Sequence, residues 1–192
     1  MMDIFEKSVH FAMHAHSGHV RKRSHTPYIL HPFEAATIAA TITDDTEVLA
    51  AAVLHDTVED TAVTIEEIRA EFGDKIAGLV ACETEEACEG IPRSESWRYR
   101  KEHSLQRLQA CGDRDVKIIW LSDKLSNMRS FYRLWQKKGN ALWENFHQND
   151  PAQQAWYYHT VALALAELSD TPAYKEYQHL YQIVFSEVNY ES

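Results

Sequence analysis

The chain has 192 residues, 45% of them hydrophobic, and a formal net charge of −10. That length suits one sizeable core and a single domain, and so acidic a balance excludes a general nucleic-acid surface, which needs a basic stripe. The start Met1-Met2-Asp3-Ile4-Phe5-Glu6 lacks the basic and apolar run of a signal peptide, and no apolar stretch approaches a membrane span, so a cytoplasmic protein is expected. Apolar residues recur at spacings of three and four, Gly and Pro are few, and β-branched alternation is scarce, which predicts an all-α protein. The first helix is expected over Asp3–Ser17, with Ile4, Phe5, Val9, Ala12 and Met13 on one stripe and Gly18 ending it. A polar loop over residues 18–30 carries Pro27, and Pro32 opens a second helix to about Ile42. A third helix is read from Thr46 to about Glu59. Thr64-Ile65-Glu66-Glu67 has the capping-box pattern of a short helix reaching Phe72, and Gly73 separates it from another over Asp74–Glu85.

Residues 87–95, with Gly90 and Pro92, read as a mobile loop. Helices follow at Ser96–Ala110 and Val116–Trp135, then a break at Gly139-Asn140. Asp150-Pro151 and Thr171-Pro172 pair a cap residue with Pro and open helices to about Leu168 and Val188. The aromatic residues of this last stretch, Trp135, Trp143, Trp156, Tyr157, Tyr158, Tyr174, Tyr177 and Tyr181, read as core packing. Cys82, Cys88 and Cys111 are odd in number and lack CxxC spacing, so reduced thiols are expected rather than a disulfide framework or zinc ribbon.

The chemistry concentrates in Leu54-His55-Asp56-Thr57-Val58-Glu59-Asp60-Thr61. On a continuous helix His55, Asp56, Glu59 and Asp60 share one face. They end a segment of Ala, Val and Leu that must be buried, and buried charge is costly unless paired or metal-bound. Two further anomalies could complete a site: His31 at a helix start, and Asp123 inside the apolar run Ile118–Leu125. Two imidazoles and two carboxylates suit manganese, iron or zinc better than copper, and are too nitrogen-rich for calcium. Taken singly, each has an ordinary reading: His31 as a hydrogen-bonded structural residue, His55 as a helix-end histidine, Asp123 paired with Lys124 or Arg129. Glu59 or Asp60 could take a proton from water or orient it, and Asp60 could instead cap the next helix. Arg21-Lys22-Arg23 is the one dense basic cluster and fits a phosphate clamp. Arg100 and Lys101 could reach a phosphate, with a solvated helix face as the ordinary reading.

The chain resembles the HD-domain hydrolases of the RelA/SpoT type, especially the small single-domain alarmone hydrolases. The resemblance rests on His16-Ser17-Gly18-His19-Val20-Arg21-Lys22, Pro27-Tyr28-Ile29-Leu30-His31-Pro32, the run Ala50–Thr61, Phe72-Gly73 and Leu121-Ser122-Asp123-Lys124-Leu125-Ser126-Asn127, in the family's order over residues 3–135. It implies an all-helical bundle of about 8–10 helices, one domain over 1–192, and residues 140–190 as a helical extension. It further implies manganese, or another divalent ion such as iron, cobalt or zinc, held by His31, His55, Asp56 and Asp123. Glu59 and Asp60 would work on the attacking water, and Arg21, Lys22, Tyr28 and Asn127 would contact the nucleotide. The implied reaction removes the 3′-pyrophosphate of guanosine tetra- or pentaphosphate, leaving GDP or GTP. The alternatives are the same site acting on another nucleotide phosphate, such as NADPH or a nucleoside monophosphate, and an inactive nucleotide-binding module. Monomer and homodimer are both open. The family's Ser-Gly-x-Pro-Tyr reads Ser24-His25-Thr26-Pro27-Tyr28 here, a change in the loop facing the nucleotide.

Overall fold

The computed structural model describes residues 3–21, 25–85, 88, 90–92 and 95–188. Among them are ten α-helices, two 3-10 helices and no strand beyond one isolated bridge between Val20 and Pro27. The all-α expectation holds. No helix among the described residues is long and apolar enough to cross a membrane.

Two compact units are formed, Met1–Thr84 with Asp113–Ser126, and Glu85–Gly112 with Asn127–Ser192. The first contains α1 (Ile4–Ala15), α2 (Leu30–Ala39), α3 (Thr46–Leu54), α4 (Thr57–Asp60), α5 (Ile65–Phe72) and α6 (Asp74–Glu83). It also takes the N-terminal part of α8 (Arg114–Lys138), as far as Ser126. Helix α3 is its centre and packs against α1, α2 and α6. Val48 and the unbroken run Ala50–Leu54 are fully buried, as an all-round apolar helix must be. Its small Ala50, Ala51 and Ala52 let three neighbours approach. Asp45 caps α3 by accepting from the Glu47 amide, and the Thr64–Glu67 capping box starts α5 as the sequence predicts. Gly73, at φ 87°, lies between α5 and α6 in the left-handed region that glycine enters without cost.

One element departs from expectation in a way that matters. The predicted helix over 46–59 stops at Leu54, and a separate single turn, α4, follows at Thr57. At the junction the Thr57 hydroxyl donates to the Leu54 carbonyl (2.6 Å), and His55 Nδ1 lies 2.8 Å from the Ala52 carbonyl. These side chains take carbonyls that a continuing helix would offer to its own amides. The four groups of the motif therefore sit on a helix junction, not on one continuous helical face.

The second unit contains α7 (Trp97–Ala110), α9 (Pro151–Ala164), α10 (Pro172–Val184), the remainder of α8, and 3-10 turns at Gly139–Asn145 and Ala166–Leu168. Its core is aromatic. Phe131 meets Trp143, Phe146 and Tyr158 edge-on at 5.2–5.3 Å, and Trp143 stacks on Phe185 at 5.1 Å. The Tyr174 and Tyr177 hydroxyls donate to the carbonyls of Ala162 and Tyr158, so these rings pack with their polar tips satisfied. Arg100 is buried and paired with Glu85, and Lys101 reaches the same carboxylate at 3.3 Å. This corrects the solvated-face reading of the two cations.

Candidate metal centre

Residues from three separated stretches of the first unit meet at one point. His31 is the second residue of α2, His55 and Asp56 form the α3–α4 junction, and Asp123 lies on α8. His31 is presented by a tight loop: Val20 bridges Pro27, the Arg21 amide donates to Thr26, and the His31 amide donates to Tyr28. One ligand atom each from His31, His55 and Asp123 falls within 4.8 Å of the others. His31 Nε2 is 2.9 Å from Asp123 Oδ1 and 3.4 Å from Asp56 Oδ2. His55 Nε2 is 3.1 Å from Asp56 Oδ2 and 3.7 Å from Asp123 Oδ1. The Asp56 side chain is 17% exposed and the other three 6% or less, so Asp56 marks the side open to solvent.

Each of these groups meets an outer partner. The Ser126 hydroxyl donates to Glu34 at 2.7 Å, so its oxygen accepts from His31 Nδ1 at 2.8 Å. The Ala52 carbonyl can only accept, so His55 also carries its proton on Nδ1. Both imidazoles thus keep Nδ1 as a donor to its outer partner and turn Nε2 toward the carboxylates, so Nε2 is the nitrogen that would bind a metal. Tyr28 donates its hydroxyl to Asp56 Oδ2 at 2.7 Å. Lys124 donates to Asp123 Oδ2 and, at 2.8 Å, to Glu83 Oε1.

The electrostatics match this geometry. Burial pushes the His55 ring down, but Asp56 and Asp123 outweigh it and hold its pKa well above the usual value. Asp56 and Asp123 are raised by burial and lowered further by their partners, chiefly His55 for Asp56 and Lys124 for Asp123, ending below the carboxylate range. Burial pushes Glu83 up to about 8 against the pull of Lys124. Burial also raises the Tyr28 phenol, assisted by Asp56 and Asp60, so its hydroxyl stays a donor. His55 Nε2 is buried and lacks a hydrogen-bond partner. A buried imidazole nitrogen without a hydrogen-bond partner is costly unless something binds it, and two imidazoles with two carboxylates fit a divalent cation.

Among the other expected residues, Glu59 is half-buried and Asp60 exposed on α4, one turn beyond the junction. Asp60 is close enough to Tyr28 to raise its pKa through a hydrogen bond. The Arg21 guanidinium lies 5.9 Å from the Tyr28 ring centroid. Lys22 lies outside the described residues. Asn127 is half-buried on α8 and falls in the second unit. Tyr28, expected at the nucleotide, has its hydroxyl on Asp56. His25 adopts φ 55°, the left-handed conformation a glycine takes freely at such a position. Sequence reasoning missed Ser126, Glu34 and Glu83, and took Lys124 only as an ordinary partner for Asp123. It also gave no role to His16, which is buried with both ring nitrogens unpartnered and its ring 4.9 Å from that of Tyr28.

Guanosine-3′,5′-bis(diphosphate) 3′-pyrophosphohydrolase MESH1 of Danio rerio is 38% identical over 131 residues, which are 66% of this chain and 68% of that protein. The guanosine-3′,5′-bis(diphosphate) 3′-pyrophosphohydrolase of Aquifex aeolicus is 32% identical over 69% of this chain, but the chain spans only 18% of that protein's length. Among solved structures, one described as a metazoan orthologue of SpoT that hydrolyses ppGpp superimposes with a TM-score of 0.73 at 25% identity, covering 95% of this chain and 96% of its own. A Listeria monocytogenes EGD-e protein gives 0.70 at 31% identity, over 82% of this chain and 99% of that one. The HD domain model matches residues 8–148, a stretch that holds all four converging side chains, and the chain belongs to the HD domain family.

Proposed function

We propose that this chain is a metal-dependent 3′-pyrophosphohydrolase of guanosine tetra- and pentaphosphate. The observation that carries the reading is the convergence of two tautomer-fixed imidazoles and two carboxylates, in a chain 38% identical to a vertebrate protein named for this activity. His31, His55, Asp56 and Asp123 would hold the ion, and manganese is our assignment for it. Such an ion, when bound, lowers the pKa of water and offsets charge on phosphate oxygens. Glu59 accepts a proton from the attacking water, and Asp60, beside Tyr28, helps orient that water. The bond from the 3′ oxygen to phosphorus breaks, pyrophosphate leaves, and the 3′ oxygen takes up a proton to leave GDP or GTP. Arg21, with Lys22 beside it in the chain, grips the phosphates through forked and point-charge contacts. Asn127 contacts the nucleotide. The family match extends from residue 8 to residue 148, and we treat the whole chain as one functional domain.

Product analysis with guanosine tetraphosphate tests the proposal. Pyrophosphate and GDP are expected with manganese, and neither after chelation nor in Asp56→Ala. A manganese-loaded preparation that leaves the tetraphosphate intact sinks it. A panel including NADPH and nucleoside monophosphates assigns the substrate class in the same assay.

A further inference from the structure

The outer partners of the two acidic groups differ in charge. Asp56 receives a neutral hydroxyl from Tyr28, whereas Asp123 receives the ammonium of Lys124. Lys124 is itself buried, 4.5 Å from the Trp120 ring centroid, and braced by Glu83 at 2.8 Å. Glu83 is 8% exposed at the end of α6, and its other carboxylate oxygen, Oε2, has no hydrogen-bond partner. Placing a lysine and a glutamate together in an apolar interior carries a large desolvation cost, and an apolar pair of similar volume is often as stable or more so. Stability alone does not explain the pair.

We propose that Lys124, braced by Glu83, is a positioning residue that restricts Asp123 to a single oxygen toward the ion. The inference rests on the assignment of Asp123 as a metal ligand. Lys124 occupies Oδ2, and Oδ1 is the oxygen facing both imidazoles, 2.9 Å from His31 Nε2 and 3.7 Å from His55 Nε2. A carboxylate tied back in this way cannot close on a cation with both oxygens. That restriction keeps a coordination position available, the property that separates catalytic from structural metal sites. The ammonium also withdraws negative charge from Asp123, so metal affinity is held below what the four ligands alone would give. Glu83 has the complementary task of keeping the lysine aimed at Oδ2.

The test replaces the pair together, Glu83→Leu with Lys124→Met, so that no buried charge is left alone. Manganese binding is followed by electron paramagnetic resonance and by titration of free Mn2+, with thermal unfolding as the check on folding. The double variant is expected to fold, to bind Mn2+ several-fold more tightly, and to show an altered spectrum as Asp123 engages through both oxygens. Hydrolysis is expected to fall about tenfold or more. Lys124→Arg alone retains the native spectrum, because its cationic guanidinium still reaches both carboxylates. An unchanged spectrum, or weaker Mn2+ binding together with a lowered melting temperature, overturns the proposal and leaves Lys124 a structural support. These readouts need no substrate. A native chain that binds Mn2+ but spares guanosine tetraphosphate defeats the proposed function and not this one, and a native chain that binds no Mn2+ defeats both.

Discussion

A histidine is a metal ligand only through a nitrogen that carries a lone pair, so at the proposed centre the decisive residues include ones that would never touch the ion. His31 owes its tautomer to a relay: Ser126 donates to Glu34 and so must accept from His31 Nδ1. Removing the relay frees the ring to rotate or to move its proton to Nε2, where it faces Asp123 at 2.9 Å as a donor. Ser126→Ala is therefore expected to weaken Mn2+ binding by about 10–100-fold, the range for loss of such an outer partner. The change deletes only one oxygen from a buried position. Titration of Mn2+ against the native chain and the variant measures the effect, and equal affinities would falsify the relay. His55 needs no comparable side chain, because its Nδ1 is held by the backbone carbonyl of Ala52 in the helix that ends just before it.

Helices bring these residues together, and their ends do most of the positioning. Helix α3 starts at the Asp45 cap, whose carboxylate accepts from the Glu47 amide at 2.9 Å and from Lys75 at 2.6 Å. Asp45→Ala is expected to cost about 1 kcal/mol at neutral pH, the usual value of an N-cap. The Lys75 bond, more than the backbone contact, holds the Asp45 carboxyl below its usual pKa. A depressed pKa stabilises the fold above the unfolded value of about 3.9 and loses that contribution as pH falls through the folded value. The difference between native and Asp45→Ala in urea unfolding should therefore narrow below about pH 4, with Asp45→Asn in between because it keeps the cap and loses the charge. The other end of α3 was the less legible one. Capping signals at Thr64, Asp150 and Thr171 were visible in the sequence because each pairs a side chain with amides two or three residues on. The break after Leu54 depends instead on His55 and Thr57 reaching back to carbonyls of the helix that precedes them. Hydrophobic period carries no trace of that competition. The four charged groups stood out because they interrupt an apolar run. Ser126 and Glu34 did not, because polar residues on helices are ordinary until a partner 92 positions away is known.

An ion at the proposed centre would close long loops of chain, since residues 31, 55, 56 and 123 come from three separated stretches that the unfolded chain does not hold together. An ion that binds only the folded protein stabilises it by about 2.7 kcal/mol at a hundred times its dissociation constant. For a chain of this size that raises the melting temperature by roughly 5–10 °C, and Asp56→Ala should lose most of the gain. All four groups belong to the first compact unit, while Trp97, Trp135, Trp143 and Trp156 belong to the second. Helix α8 runs unbroken from Arg114 to Lys138 and contributes residues to both. A continuous helix cannot melt in one half without fraying the hydrogen-bond ladder of the other, so the stabilisation should pass along it. In a Trp120→Phe background, which removes the one tryptophan of the first unit, near-ultraviolet circular dichroism reads the four tryptophans of the second and is therefore expected to shift with Mn2+ by as much as the far-ultraviolet helix signal. A shift confined to the far-ultraviolet signal would show that the two units unfold separately and that α8 does not couple them.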